Sequence, residues 1–181
     1  MGKDFLTDIK TLRARARQHI EKGAITQSYQ GDLETAVRLL NEALATEIVC
    51  VLRYRRHYFM ANGIHSQSVG QEFLEHAKEE QAHADQIAER ITQLRGEPNF
   101  SPDGLTTRSH SEYAEGETLV DMIREDLIAE RIAIESYTEM IRYFEKDTTT
   151  RRMLEEILAK EEEHAEDLVT LLETLGESAK S

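Results

Sequence analysis

The motif Glu80-Gln-Ala-His83 sits inside the apolar series Phe73, Ala77, Glu80, His83, Ala84, Ile87, Ile91 and Leu94. A second copy, Glu161-Glu-Glu-His164, sits inside Leu154, Ile157, Glu161, His164, Leu168, Leu171, Leu172 and Leu175. Both series advance by three or four residues, the period of a helix that turns one face toward a core. Each therefore predicts a long helix, and each puts a carboxylate and an imidazole where a hydrophobic side chain belongs.

Outward from these two, the same period predicts their partners. Val37, Leu40, Leu44, Glu47, Ile48, Val51 and Tyr54 mark a helix over 32–63, with Asp32 as its N-cap. Leu119, Met122, Ile123, Leu127, Glu130, Ile134, Tyr137, Ile141 and Phe144 mark another over 118–145. The Glu80 helix is expected to begin at Ser66 or Ser68, the latter with Gln71 in capping-box position, and to stop at Gly96-Glu97-Pro98. The Glu161 helix is expected over 147–176. A shorter amphipathic stripe, Phe5, Ile9, Leu12, Ala16 and Ile20, precedes them and carries Lys10, Arg13, Arg15, Arg17 and Lys22 on its polar face.

Residues 97–117 hold Pro98, Pro102, Gly104 and Gly116 and show no period, so they read as a long connection. A helix of about 28 residues spans roughly 42 Å, and twenty extended residues reach roughly 65 Å, so one crossover can run the length of a bundle. With two Pro and nine Gly in 181 residues, the composition favours helix. The expectation is an all-α protein: an up-down four-helix bundle over 32–176 with one long crossover, an N-terminal extension over 1–31, and a tail at 177–181.

The halves repeat one another. Glu130 follows Glu47 by 83 positions and Glu161 follows Glu80 by 81, and a Tyr stands seven residues after each lone Glu, at Tyr54 and Tyr137. A buried carboxylate costs several kcal/mol unless neutralised, so four inward Glu and two inward His imply a bound cation. Residues i and i+3 share a helix face, so each Glu-x-x-His pair can reach one point. Glu80 and Glu161 can then bridge two ions, His83 and His164 can hold one each, and Glu47 and Glu130 can cap the pair. Stripe register favours Glu80 and Glu161 over Glu79, Glu162 and Glu163. Mixed oxygen and nitrogen donors without thiolates suit iron first, then manganese, and can take zinc. Tyr54 and Tyr137 either hydrogen-bond ligand carboxylates or pack in the core. His57, His65, His76 and His110 lack a comparable set of partners and carry no assignment.

A formal net charge of -13 argues against a nucleic-acid-binding body, and the single Cys50 against an internal disulfide. Eighteen consecutive apolar residues occur nowhere, and the polar N-terminus does not read as a signal peptide, so a cytoplasmic protein without membrane contact is expected.

Leu40-Asn41-x-x-Leu44-x-x-Glu47, Glu80-x-x-His83-Ala84-Asp85, Arg95-Gly96-Glu97-Pro98-Asn99, Asp126-Leu127-x-x-Glu130 and Glu161-Glu162-x-His164 together resemble the bacterioferritin branch of the ferritin-like superfamily. That resemblance covers about residues 35–172. It implies a ferroxidase centre of two iron ions per subunit, oxidising Fe(II) with O2 or H2O2 and storing the product inside a hollow homo-oligomer. Glu47, Glu130, His83 and His164 would be terminal ligands, Glu80 and Glu161 bridging ones. Gln81 stands where the family's haem-ligating Met falls, so haem is not expected. The short helix that lines fourfold channels in 24-subunit ferritins is not evident, and the basic extension is similar in kind to those of DNA-protecting mini-ferritins. A twelve-subunit shell is therefore expected ahead of a twenty-four-subunit one. The competing readings are a mini-ferritin-like protein whose basic helix binds DNA, and a di-iron or di-manganese peroxidase.

Overall fold

The computed structural model describes residues 6–176. Its elements are α1 (Ile9–Ala16), a 3-10 turn (Ile20–Lys22), α2 (Leu33–Met60), α3 (Ser66–Gln93), α4 (Leu105–Arg108), α5 (Leu119–Tyr143) and α6 (Thr148–Thr174), with no strand among the described residues. The expected tail and Phe5 lie outside the described residues. Helices α2 and α3 pack as one antiparallel hairpin and α5 and α6 as the other, joined by the long connection, as the four stripes require.

Short polar side chains start three of the four bundle helices. Asp32 accepts the Glu34 amide, Asp147 accepts the Thr150 amide, and Thr118 with Asp121 forms a reciprocal capping box. The fourth takes the earlier of its two expected starts. Gly63, at φ 97°, turns the chain early enough for α3 to begin at Ser66 behind His65, which makes no side-chain cap. Ser68 then falls inside the first turn and its hydroxyl donates to the His65 carbonyl, while Gln71 pairs with Glu75. At its far end α3 closes with the Arg95 amide on the Thr92 carbonyl and the Gly96 amide on the Ile91 carbonyl. Arg95 takes the left-handed position, at φ 64°. Gly96 is needed for a different reason: a Cβ there would stand 2.5 Å from a Val37 methyl.

Apolar residues of the four helices form two separate clusters along the bundle. One holds Leu40, Leu44, Ile87, Ile91, Phe144, Leu154 and Ile157; the other holds Phe73, Ala77, Met122, Ile123, Leu168 and Leu172. Each fully buried large side chain contributes about 1.5–3 kcal/mol, so the two clusters supply the stability that a polar layer between them cannot.

The crossover is not structureless. It lies along α2, fastened by polar side chains in sequence order. Asn41 receives the Asn99 amide and donates to the Glu97 carbonyl, Thr46 receives the His110 amide, and Arg53 and Arg56 donate to the carbonyls of Glu112 and Glu115. Between these anchors α4 sets Leu105 against Ala45 and Val49. Arg53 and His57 also grip Asp126 of α5, both at 2.8 Å and all three fully buried.

The N-terminal stripe behaves differently. Only eight residues form α1, none of them buried, and His19 at φ 52° breaks the helix before Ile20. Ile9 and Ile20 remain 55% and 76% exposed, so this stripe has no core to face within one chain. Eight residues are too few to hold a helix by propensity alone.

Removing one member of a buried ion pair costs about 3–5 kcal/mol. Asp126→Ala is therefore expected to lower the thermal midpoint by roughly 10 °C. Arg38→Ala, at the half-exposed Arg38–Glu42 pair, should change it little. Equal shifts for the two variants in a calorimetric scan would remove Asp126 from the scaffold.

Candidate metal centre

Midway along the bundle, between the two apolar clusters, the structure brings together all six carboxylates and imidazoles singled out above. Glu47 comes from α2, Glu80 and His83 from α3, Glu130 from α5, and Glu161 and His164 from α6, and every one is buried. Glu162 and Glu163 point to solvent.

Each bridging candidate divides its two oxygens. Glu80 sets Oε2 3.5 Å from His83 Nδ1 and Oε1 3.3 Å from His164 Nδ1. Glu161 does the same, with Oε1 3.1 Å from His83 Nδ1 and Oε2 3.5 Å from His164 Nδ1. Glu47 Oε2 stands 3.3 Å from His83 Nδ1, and Glu130 Oε1 3.9 Å from His164 Nδ1. Two donor sets result, Glu47, Glu80, His83 and Glu161 on one side and Glu80, Glu130, Glu161 and His164 on the other. They share Glu80 and Glu161, the pattern that two carboxylate-bridged ions require.

The donor atoms have nothing else to bind. Glu47 Oε2, Glu80 Oε1, His83 Nδ1, Glu130 Oε2, both oxygens of Glu161, and His164 Nδ1 are buried without a hydrogen-bond partner. Orphaned buried polar atoms cost about 1–3 kcal/mol each, and more when charged. Seven of them, at least one from each residue and all facing one space, fit a pair of cations.

The surrounding groups hold this set in place. Tyr54 donates to Glu130 Oε1, and Tyr137 donates to Glu47 Oε1. Each tyrosine thus reaches across to the lone Glu of the other half, not the one on its own helix. On the solvent side, Glu79 accepts from His164 Nε2 at 2.6 Å, which aims Nδ1 inward, and Lys160 lies 3.7 Å from Glu79.

Burial first, then the charge of Glu80, pushes Glu47 up to about 8, and the same two causes raise Glu130 well above the carboxylate range. Burial acts downward on His164, but the carboxylates of Glu161 and Glu80 outweigh it and lift the ring to about 10. His83 is raised too, burial being overcome by Glu161, Glu47 and Glu80. Burial and the neighbouring carboxylates act upward on Glu80 and Glu161, yet the close imidazoles and carboxyls outweigh them and leave both below the usual value.

Three residues without a role in the sequence reading belong to the surroundings of this site. His76 stacks on His164 with ring centroids 4.0 Å apart, and its Nδ1 lies 3.2 Å from the Tyr54 hydroxyl. Its place on the α3 stripe, four residues before Glu80, is the signal that could have found it. His57, three residues after Tyr54, and Asp126, four before Glu130, carry the same stripe signal, but their pairing with each other and with Arg53 across α2 and α5 has no sign in periodicity. His65 and His110 do not reach the centre; His110 lies on the α2 face near Glu42.

Residues 37–177 match the family model for the ferritin-like domain. A bacterioferritin of Mycobacterium tuberculosis is 32% identical over 157 residues, 84% of this chain and 94% of that protein. Among solved structures, a dodecameric thioferritin of Bacteroides fragilis, described as bacterioferritin-related, superposes with a TM-score of 0.78 at 32% identity, covering 81% of this chain and 89% of that one. A ferritin-like diiron-carboxylate protein of Bacillus anthracis gives 0.70 at 26% identity over 80% and 99%. The Dps of Thermosynechococcus elongatus shares the fold at 21% identity, with a TM-score of 0.74 over 77% of this chain and 90% of that one.

The titration directions set a sign. Glu47, at about 8 when folded against 4.5 ordinarily, keeps a proton in the cation-free fold that the unfolded chain releases, and His164 does likewise between 6.5 and about 10. Stability of the chelator-treated protein should therefore fall as pH rises from about 6 to about 8.5. A bound cation needs those protons gone, so its stabilising increment should grow over the same range. Thermal midpoints with EDTA and with Zn(II) read both trends; a chelated midpoint that rises with pH contradicts this account.

Proposed function

Because this chain belongs to the ferritin-like family, we propose that it is a ferroxidase, oxidising Fe(II) at a paired-ion centre held within one bundle and storing or detoxifying the product. The observation that carries this reading is the division of Glu80 and Glu161 between His83 and His164, with their facing atoms otherwise unbonded.

Two Fe(II) ions held side by side supply one electron each, together the pair that O2 or H2O2 accepts. The chain's part is to place and protect them. His83 with Glu47, and His164 with Glu130, define the two positions, and Glu80 and Glu161 set the distance between them. Tyr54 and Tyr137 donate hydrogen bonds to Glu130 and Glu47, which fixes each carboxylate's free oxygen toward its ion. Apolar clusters at both ends of the layer keep water out along the bundle axis, so charge on the ligands acts in a low-dielectric space. Two Glu from each half carry four negative charges when deprotonated, matched to two divalent ions.

A hollow homo-oligomer is the assembly this reading needs for storage. Twelve subunits are favoured over twenty-four because the bacterioferritin-related Bacteroides fragilis thioferritin, alike over 81% of this chain, is dodecameric. Among the described residues no helix is long and apolar enough to cross a membrane, which fits a shell free in solution.

Fe(II) added to the anaerobic protein and then exposed to air should oxidise rapidly, followed by ferric absorbance. Glu130→Ala and His83→Ala should each slow the initial rate by about 100-fold or more, and Tyr137→Phe by about 10-fold. Rates unchanged in Glu130→Ala and His83→Ala overturn the proposal, and native mass spectrometry reads the subunit number.

A further inference from the structure

Beside the paired centre, the groove between α3 and α6 gathers a second group of donors. Glu72 and His76 stand one turn apart on α3, Asp167 comes from α6, and one donor atom of each lies within 4.8 Å of the others. His76 is 2% exposed, and its Nε2 is buried without a hydrogen-bond partner. That nitrogen faces Glu72 Oε1 at 3.5 Å and Asp167 Oδ2 at 3.6 Å. Both distances are too long for an N–H···O hydrogen bond. They match two donors on one ion: ligands about 2.1 Å from a tetrahedral metal stand about 3.4 Å apart.

The hydrogen-bond chain settles which way the imidazole faces. Tyr54 has one hydroxyl proton, and it goes to Glu130. The hydroxyl oxygen must then accept from His76 Nδ1–H, at 3.2 Å. With its proton on Nδ1, a neutral His76 presents a bare lone pair at Nε2 to two carboxylates. Three acceptors facing one another repel, and Glu72 registers it: burial and the charge of Asp167 both raise its carboxyl.

We propose that Glu72, His76 and Asp167 form a third divalent-cation site, separate from the paired centre and lying between it and solvent. One imidazole nitrogen and two carboxylate oxygens select ions of the Fe(II), Co(II) and Zn(II) class over Mg(II). The site is not a by-product of the internal repeat. At the 81-residue offset that relates Glu80 to Glu161, the equivalents of Glu72, His76 and Asp167 are Met153, Ile157 and Gln86.

Its place suggests its use as a loading station for the centre, a role that rests on the ferroxidase reading although the binding site does not. The Glu72 and Asp167 side chains are 33% and 44% exposed, where they can capture an ion from solvent. His76 sits behind them, stacked on His164, and donor atoms of His76, His164 and Glu130 again lie within 4.8 Å of one another. An ion passing inward exchanges ligands without crossing an apolar layer.

Co(II), added without air and read through its own ligand-field absorbance, is the probe. Titrated into the chelator-stripped full-length protein, it should bind at three ions per chain, read by native mass spectrometry and by ligand-field absorbance. Glu72→Gln with Asp167→Asn, both half-exposed and tolerant of the change, should bind two. Glu80→Ala with Glu161→Ala should retain one, and His76→Gln added to that pair should bind none. Two ions per chain in the wild type, or a count that Glu72→Gln with Asp167→Asn does not lower, overturns the site. A wild type that binds one ion, lost in that same variant, removes the paired centre and leaves this site standing. In stopped flow at limiting Co(II), that variant should fill the centre several-fold more slowly; an unchanged rate overturns the loading role.

Discussion

Four carboxylates and two imidazoles share one buried layer of the bundle, and most other features of the chain follow from that constraint. Such a layer cannot hold a helix bundle together by itself, since each ionised group taken from water costs several kcal/mol. The apolar residues are accordingly divided into clusters above and below it, and long helices, 25 to 28 residues each, give those clusters room. The tyrosines belong to the same solution. Each has a ring in an apolar cluster and a hydroxyl on a carboxylate, so it bridges the dry core and the polar layer.

The crossover answers a related problem. Joining two antiparallel hairpins so that α3 and α5 run in the same direction requires one connection as long as the bundle, and a loop of that length carries many backbone groups. Asn41, Thr46, Arg53, Arg56 and His57 satisfy a series of them along α2. Arg53 and His57 then reach past the crossover to Asp126, so the connection, α2 and α5 lock as a unit only four residues from Glu130. The most heavily cross-linked part of the scaffold therefore lies beside the buried carboxylate layer.

Internal symmetry holds for the six central residues and their two tyrosines and fails immediately outside them. Among the described residues, only His164 is backed by an outer carboxylate at 2.6 Å, and only its side of the bundle has a second imidazole stacked on it. The half containing the α3–α6 groove is thus the side with polar groups graded from solvent to centre.

Sequence alone was enough for the four bundle helices and the six central residues, because a period near 3.6 with charged groups in apolar slots is a local signal that burial makes costly to ignore. It also placed the crossover, since Pro98, Pro102, Gly104 and Gly116 break any period. What needed the tertiary structure was every relation between residues far apart in the chain. Tyr54 is aligned with Glu47 along α2, yet its hydroxyl belongs to Glu130, because helix packing and not helix register decides which carboxylate it meets. His76 reads as one more stripe position until α6 brings His164 and Asp167 against it. The N-terminal stripe shows the converse limit: its period is helical, but eight residues with no buried partner make only a short exposed helix. Periodicity records which face a residue is on, and only the assembled bundle determines what stands opposite.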